Sequence, residues 1–269
     1  MRLISLWLAF ASMVAAIGCS GDRVLAPRPG HSGQIVPPEL IAAYTEIKLP
    51  GQGVVVALND SGDVVADEFN FGGGMLWHGA AHDTTSIPIH PAAIANDGTV
   101  AGNIDGHAAT WKNGRVTILD TAASKALAIC KCESAAVVGV VTVNGVAHAA
   151  IWVDGIRIDA GLPPNGTSAE FRAIGGGFIV GNATVRVPNP DSGVPGDSTD
   201  YLEPYSWSHA EGWVRLLHGP LSFASIESMN SHGIAVGISF GPHAAQRAIY
   251  FDVGAGTGEL HPRTRQGER

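Results

Sequence analysis

The chain has 269 residues, 45% hydrophobic and only 15% charged, a balance that argues against disorder and provides for one domain-sized core. Its formal net charge of −8 repels phosphate backbones, so no nucleic acid is expected among its partners. With 35 Gly and 16 Pro, and no apolar stripe of helical period beyond the N-terminal leader, helices should be scarce.

The chain opens with a short positive segment, Met1-Arg2. An apolar stretch, Leu3 to Ala16, follows; it is too short to span a bilayer comfortably and runs into Ala16-Ile17-Gly18-Cys19. Residues 1–18 read as a secretory leader. They resemble a bacterial lipoprotein signal, with small Gly18 before the cleavage point and Cys19 as the residue to be lipidated. Ala16 departs from that pattern, which most often has Leu, and an ordinary cleaved leader with an incidental Cys is the alternative. The resemblance implies a lipid anchor in the cell envelope, and Ser20 rather than Asp after the Cys points to the outer membrane where sorting follows that rule. Residues 19–43, rich in Pro and Gly from Ser20 to Glu39, read as a tether.

From residue 44 to 262 the chain repeats one pattern five times: an Asn- or Gly-rich turn, a Val-Val-Gly type run, then an aromatic anchor. The first copy has Asn59-Asp60-Ser61-Gly62, Val64-Val65 and Trp77; the second has Asn96-Asp97-Gly98, Val100-Ala101-Gly102 and Trp111. The others are looser, with Val137-Val138-Gly139 and Trp152, Ile179-Val180-Gly181 and Trp207, and Ala235-Val236-Gly237 and Phe251. Spacings of 34, 41, 55 and 44 residues between anchors match one four-stranded propeller blade each. The second copy predicts strands over Ala92–Ala95, Thr99–Asn103, His107–Trp111 and Arg115–Leu119. Between them, Asn96-Asp97-Gly98 and Asn113-Gly114 are expected to supply the positive backbone dihedrals of tight hairpins.

The expected fold is therefore all-β, a propeller of five four-stranded blades; six blades or an open β array are the alternatives. Trp77, Trp111, Trp152, Trp207 and Phe251 are read as core residues packing blade on blade, because a single unit cannot cover its own apolar face. Tyr44-Thr45-Glu46-Ile47-Lys48-Leu49 resembles a unit's last strand, and the count leaves open whether it replaces or supplements Gly258–His261 in the final blade. Residues 263–269 form a basic tail.

The same order of residues resembles the bacterial extracellular HAF repeats, named for a His-Ala-Phe tripeptide. Here His107-Ala108-Ala109 and His148-Ala149-Ala150 carry the likeness, with Ala in place of Phe, and the other copies lack the His. The likeness spans roughly residues 45–260. It implies an exported, propeller-like β structure and little about chemistry.

Candidate sites are few. Cys130 and Cys132, separated by Lys131, are read first as a structural or incidental pair, next as a strained disulfide, and last as a redox or metal site, since no further Cys or His is nearby for zinc. His107 and His148 hold equivalent places in their repeats, which fits one structural hydrogen bond per blade better than a shared active site. Two stretches offer oxygen ligands for calcium, Asn59 to Asp63 and an insertion from Arg186 to Pro204, but no cofactor is expected. The insertion, with Asp191, Asp197, Asp200 and Glu203, is read as a long polar loop and the best candidate for binding. No catalytic motif is present. The leading expectation is a non-catalytic scaffold on the cell envelope that binds a protein or a glycan. The alternatives are a hydrolase or lyase acting on polysaccharide or peptide at the propeller centre, and a purely structural envelope component.

Overall fold

The computed structural model describes residues 53–68, 72–131, 135–188, 194, 197–218, 223–240 and 246–260. The leader, Cys19, the tether, Tyr44–Leu49, Cys132, Asp191 and the basic tail lie outside the described residues.

The protein is a five-bladed β-propeller. The first blade contains β1 (Gly53–Leu58), β2 (Val64–Glu68), β3 (Gly73–His78) and β4 (Asp83–Ile87); the second contains β5 (His90–Ile94), β6 (Val100–Ile104), β7 (His107–Lys112) and β8 (Arg115–Ile118). The third is β9 (Ser124–Ile129), β10 (Val137–Val143), β11 (Val146–Val153) and β12 (Ile156–Gly161). The fourth is β13 (Gly166–Gly175), β14 (Phe178–Pro188), β15 (Ser198–Ser208) and β16 (Gly212–Arg215). The fifth sheet has five strands in the order β17 (Leu217–His218), β21 (Thr257–Leu260), β20 (Gln246–Asp252), β19 (Ile234–Phe240) and β18 (Phe223–Met229). Thus β21 holds the fourth position of the last blade, so an N-terminal strand does not replace it. Among the described residues the one strand beyond the five sets of four is the β17 stub, which pairs parallel to β21.

One register is common to every blade. The aromatic anchor faces the first residue of the Val-rich run, as in Val64 with Trp77, Val100 with Trp111, Val137 with Trp152, Ile179 with Trp207 and Ala235 with Phe251. Each first strand bulges at the same level, with the ladder skipping Val56, Ala92, Leu127, Arg172 and Glu227. In the second to fifth blades a glycine ends the run beside the bulge, where the first blade has Ala66. A Cβ on Gly102, Gly139, Gly181 or Gly237 would collide with the carbonyl oxygen of His90, Lys125, Glu170 or Ser225 on the adjoining first strand.

The expected hairpin at Asn113-Gly114 has both residues at positive φ, 48° and 81°. Asp105-Gly106, Asn144-Gly145 and Asp154-Gly155 repeat that geometry. At Asn96-Asp97-Gly98, by contrast, only Gly98 is positive, because this turn is closed by Gly98 N–H donating to the Ala95 carbonyl. The same bond runs from Gly62 to Asn59 and from Gly233 to Asn230, so Ala95, not Asn96, is the structural counterpart of Asn59.

Four apolar clusters join successive blades: Val65, Leu76 and Ile87 with Val100 and Trp111; Ala95 and Ala101 with Ile129 and Trp152; Val138 and Ile151 with Phe171 and Tyr205; Val180 with Ile226, Ile249 and Phe251. Trp111, Trp152 and Phe251 are buried at these seams, as expected for repeat core, and Trp77 is buried edge-on to His82. Trp207 is only half-buried; it packs against buried Phe171 at 5.8 Å, and Trp213 stacks on the same ring at 5.2 Å.

Two asparagines lock blades together where nonpolar contact cannot. Asn182 accepts from Ile226 N–H at 2.7 Å and donates to the Ile226 carbonyl at 3.0 Å. Asn103 does the same with Ala126, at 2.9 and 3.4 Å. Each follows the glycine of its Val-rich run and pairs with the backbone of the next blade's first strand as a neighbouring strand would.

Candidate functional site

The first strands contact one another in succession, β1 with β5, β5 with β9, β9 with β13 and β13 with β18, which places them around the propeller axis. Their turns cluster at one end. There Asn96 donates to Asp60 at 2.8 Å and accepts from the Asp60 N–H, while Lys131 of the third blade reaches Asp60 of the first at 3.4 Å. The hydrogen bond from Asn96, and then the Lys131 charge, hold the Asp60 carboxyl below its ordinary range.

Asn59 to Asp63, one of the two calcium candidates, directs its oxygens to protein donors. Asn59 Oδ1 accepts from Ser61 and Asp63 N–H; the Asp63 carboxylate accepts from Asn59 Nδ2 and from Gly79 N–H. Among the described residues no group of three or more His, Cys, Asp or Glu is placed to hold a metal ion. Cys130 stands where Asn59 stands in the first blade, closes its turn onto Ala136, and is disulfide-bonded.

The residues read as a polar loop from Arg186 to Pro204 are largely strand, which corrects that expectation. β14 and β15 stay paired out to Pro188 and Ser198, because Val185, Val187, Thr199 and Tyr201 continue a strand-forming pattern that Pro and acidic residues had masked. The arm is long. Past the shared glycine register, β6 runs only from Gly102 to Ile104 and β10 from Gly139 to Val143, whereas β14 runs from Gly181 to Pro188, roughly 10 Å beyond β10. Arg186 makes a two-pronged ion pair with Asp200 on its exposed side, which lowers the Asp200 carboxyl, and Tyr201 stacks on Phe223 of the fifth blade at 5.1 Å. Asp197 precedes β15, and its N–H donates to Val194, itself exposed.

Glu203 is buried on β15 rather than displayed in a loop. It accepts from the Tyr205 hydroxyl at 3.1 Å and from Arg215 at 2.6 Å. Burial, reinforced by the negative Glu203, pushes the Tyr205 phenol up to about 12. Glu203 therefore cross-braces its blade. His107 and His148 occupy the equivalent position, four residues before the anchor, with Nδ1 bonded to the Ala122 carbonyl at 3.0 Å and to Asp159 at 3.2 Å. Each makes a local bond within its own repeat.

Sequence reasoning missed the inner rim. The bulged residues are aliphatic on the first three blades, Val56, Ala92 and Leu127, and charged on the last two, Arg172 and Glu227. Glu170 pairs with Arg172 at 2.6 Å, and Ser225 donates to Glu227 at 2.9 Å. Their signal was a register rather than a motif, the residue opposite the Val-rich run that the ladder skips. The rim offers one apolar side and one charged side, an arrangement suited to binding.

No family model matches the chain, and no curated protein matches it. By structure it is similar to a protein assigned as TolB from Agrobacterium tumefaciens, with a TM-score of 0.54 and 10% identity over 77% of this chain and 79% of that one. Lower-scoring likenesses are TolB from Acinetobacter baumannii (TM-score 0.40, 11% identity, 76% of this chain and 42% of that one) and the β-propeller domain of the Trilobed protease from Pyrococcus furiosus (0.36, 11%, 78% and 84%). At these identities the likeness is one of fold.

Proposed function

We propose that the protein is a lipid-anchored cell-envelope propeller, attached through Cys19 to the outer membrane, that binds a protein or a glycan without catalysis. The leader, the Pro- and Gly-rich tether and the likeness to HAF repeats support export, and the fold shared with a TolB-assigned propeller is in keeping with an envelope scaffold. The observation that carries binding is the β14–β15 arm, which among the described residues extends beyond every other hairpin and holds exposed Val187 and Val194 as well as the Arg186–Asp200 pair. Long elements on a rigid frame are where recognition concentrates.

Replacing residues 187–199 by an Asn-Gly turn tests this reading. The shortened protein is expected to keep its melting temperature while losing capture of envelope polypeptides by in-cell cross-linking, or of glycans on an array. Undiminished capture would refute the arm as the binding element. Cys19→Ser is expected to move the protein from the membrane fraction to the soluble fraction.

The second reading is a hydrolase or lyase. Glu170 and Glu227, on the first strands of adjoining blades, are the acids that would carry it, because such chemistry requires two carboxylates. Turnover of any polysaccharide or peptide that Glu227→Gln abolishes would put this reading ahead.

A further inference from the structure

The position four residues before the anchor is polar in four blades, and in three of them it is bonded within its own repeat: His107, His148 and Glu203. The fifth blade has Arg247 there, and its cross-strand partner is Ser239. In the second, third and fourth blades the residue facing this position is apolar: Ile104, Val141 and Ala183. Only the fifth blade places a hydroxyl opposite a guanidinium. Ser239 is fully buried, Arg247 is half-buried, and neither Ser239 Oγ nor Arg247 Nε has a hydrogen-bond partner.

Two unpartnered buried donors side by side are costly unless something accepts from both, and the cost is larger where one donor is charged. Of the five other described arginines, Arg157, Arg172, Arg186 and Arg215 each have a carboxylate, Asp120, Glu170, Asp200 and Glu203, and the fifth, Arg115, is exposed to water. A carboxylate is the group that Arg247 lacks. Its two oxygens match one guanidinium N–H and one hydroxyl, and its charge offsets that of the arginine.

We infer that Ser239 and Arg247, near the hairpin end of β19 and β20, form a recognition site for a carboxylate. The donors of the site are Oγ and Nε, and the open side of the half-buried guanidinium is its entrance. It rests on the fifth blade alone and stands or falls independently of the arm and of the lipid anchor. The carboxylate can come from a small free acid or from the C-terminus of a polypeptide, and the chemistry of the site is the same for both.

The test is calorimetric melting of the full-length protein during titration with sodium acetate, with sodium chloride holding ionic strength constant. Acetate is expected to raise the melting temperature saturably, as a ligand of the native state does. Ser239→Ala should fold at least as well as the wild type without acetate, since it removes an unpartnered hydroxyl, and should bind acetate about fivefold more weakly. Arg247→Gln should lose the response. Triglycine against triglycine amide separates the two sources: tighter binding of the free acid than of acetate points to a polypeptide terminus, and tighter acetate to a small acid. Equal binding of the amide, a response matched by chloride, or an unchanged response in both variants would overturn the site.

Discussion

Four blade seams are filled, and the first blade's inner strand is not. Each junction from the first blade to the fifth has its own apolar cluster, while among the described residues no cluster joins the fifth blade to the first. On β1, Val54, Val55, Val56 and Leu58 are 50%, 53%, 39% and 59% exposed, whereas β5, β9 and β18 each bury hydrophobic residues at comparable places. The sequence pattern recurs, with variation, in all five units. What differs is company: a unit buries its faces only against neighbours, and among the described residues no apolar cluster reaches β1 from the fifth blade.

The largest test of this contrast is removal of an anchor from a filled seam. Phe251→Ala should lower the unfolding free energy by about 3–5 kcal/mol in urea titration, because a fully buried ring leaves a cavity. A loss below about 1 kcal/mol would show that this seam carries far less than its burial implies.

Next comes the polar lock. Asn182→Ala strands the Ile226 N–H and carbonyl in a buried seam and should cost about 2–3 kcal/mol by the same titration. Hydrogen exchange at Ile226 should accelerate more than at residues of the second blade, whose own lock, Asn103, is untouched.

A smaller, pH-dependent effect is expected at Asp120, which links the second and third blades. Loss of water pushes its carboxyl up, but hydrogen bonds from Ala122 N–H, the Trp152 indole and Arg157 outweigh this and hold it below the ordinary carboxylate range. A depressed folded-state value means that stability is present above the unfolded value of about 3.9 and lost as pH falls through the folded one. Asp120→Asn should therefore melt lower than wild type at pH 7, with the gap closing below about pH 4. A gap independent of pH would remove the charge from the explanation.

The smallest effect belongs to the unfilled strand. Val54→Thr with Val55→Thr should change the unfolding free energy by less than about 0.5 kcal/mol, whereas Val65→Thr in the filled seam should cost clearly more. Equal costs would mean that β1 is as well covered as its counterparts.

Much of this architecture was legible in the chain. Evenly spaced aromatics, Val-rich runs and Asx-Gly pairs specify strands, hairpins and blade length by local rules, and the second blade's strands came within two residues of expectation at each end. The arm was misread because Pro188, Pro190 and Pro204 look like loop punctuation, yet Pro188 ends a strand and Pro204 sits within one, opposite Asn182. Asn96 matches Asn59 by identity, whereas the turn bonds match it to Asp60; the two turns are equal in length, and a one-residue shift of the Asn within the turn is invisible until the backbone is closed. The inner rim and the Ser239–Arg247 pair depend on bulge register and cross-strand pairing, which connect residues far from any shared motif.

By itself, the sequence determined repetition, strand character and the residues with the capacity to fill a core, because periodicity and turn chemistry act over a few residues. Tertiary structure decided which of those residues are covered, which glycines face a carbonyl, which acids find an arginine, and that Arg247 and Ser239 meet with no partner. These outcomes turn on distances between strands that are remote in sequence, and only the stacking of the blades sets them.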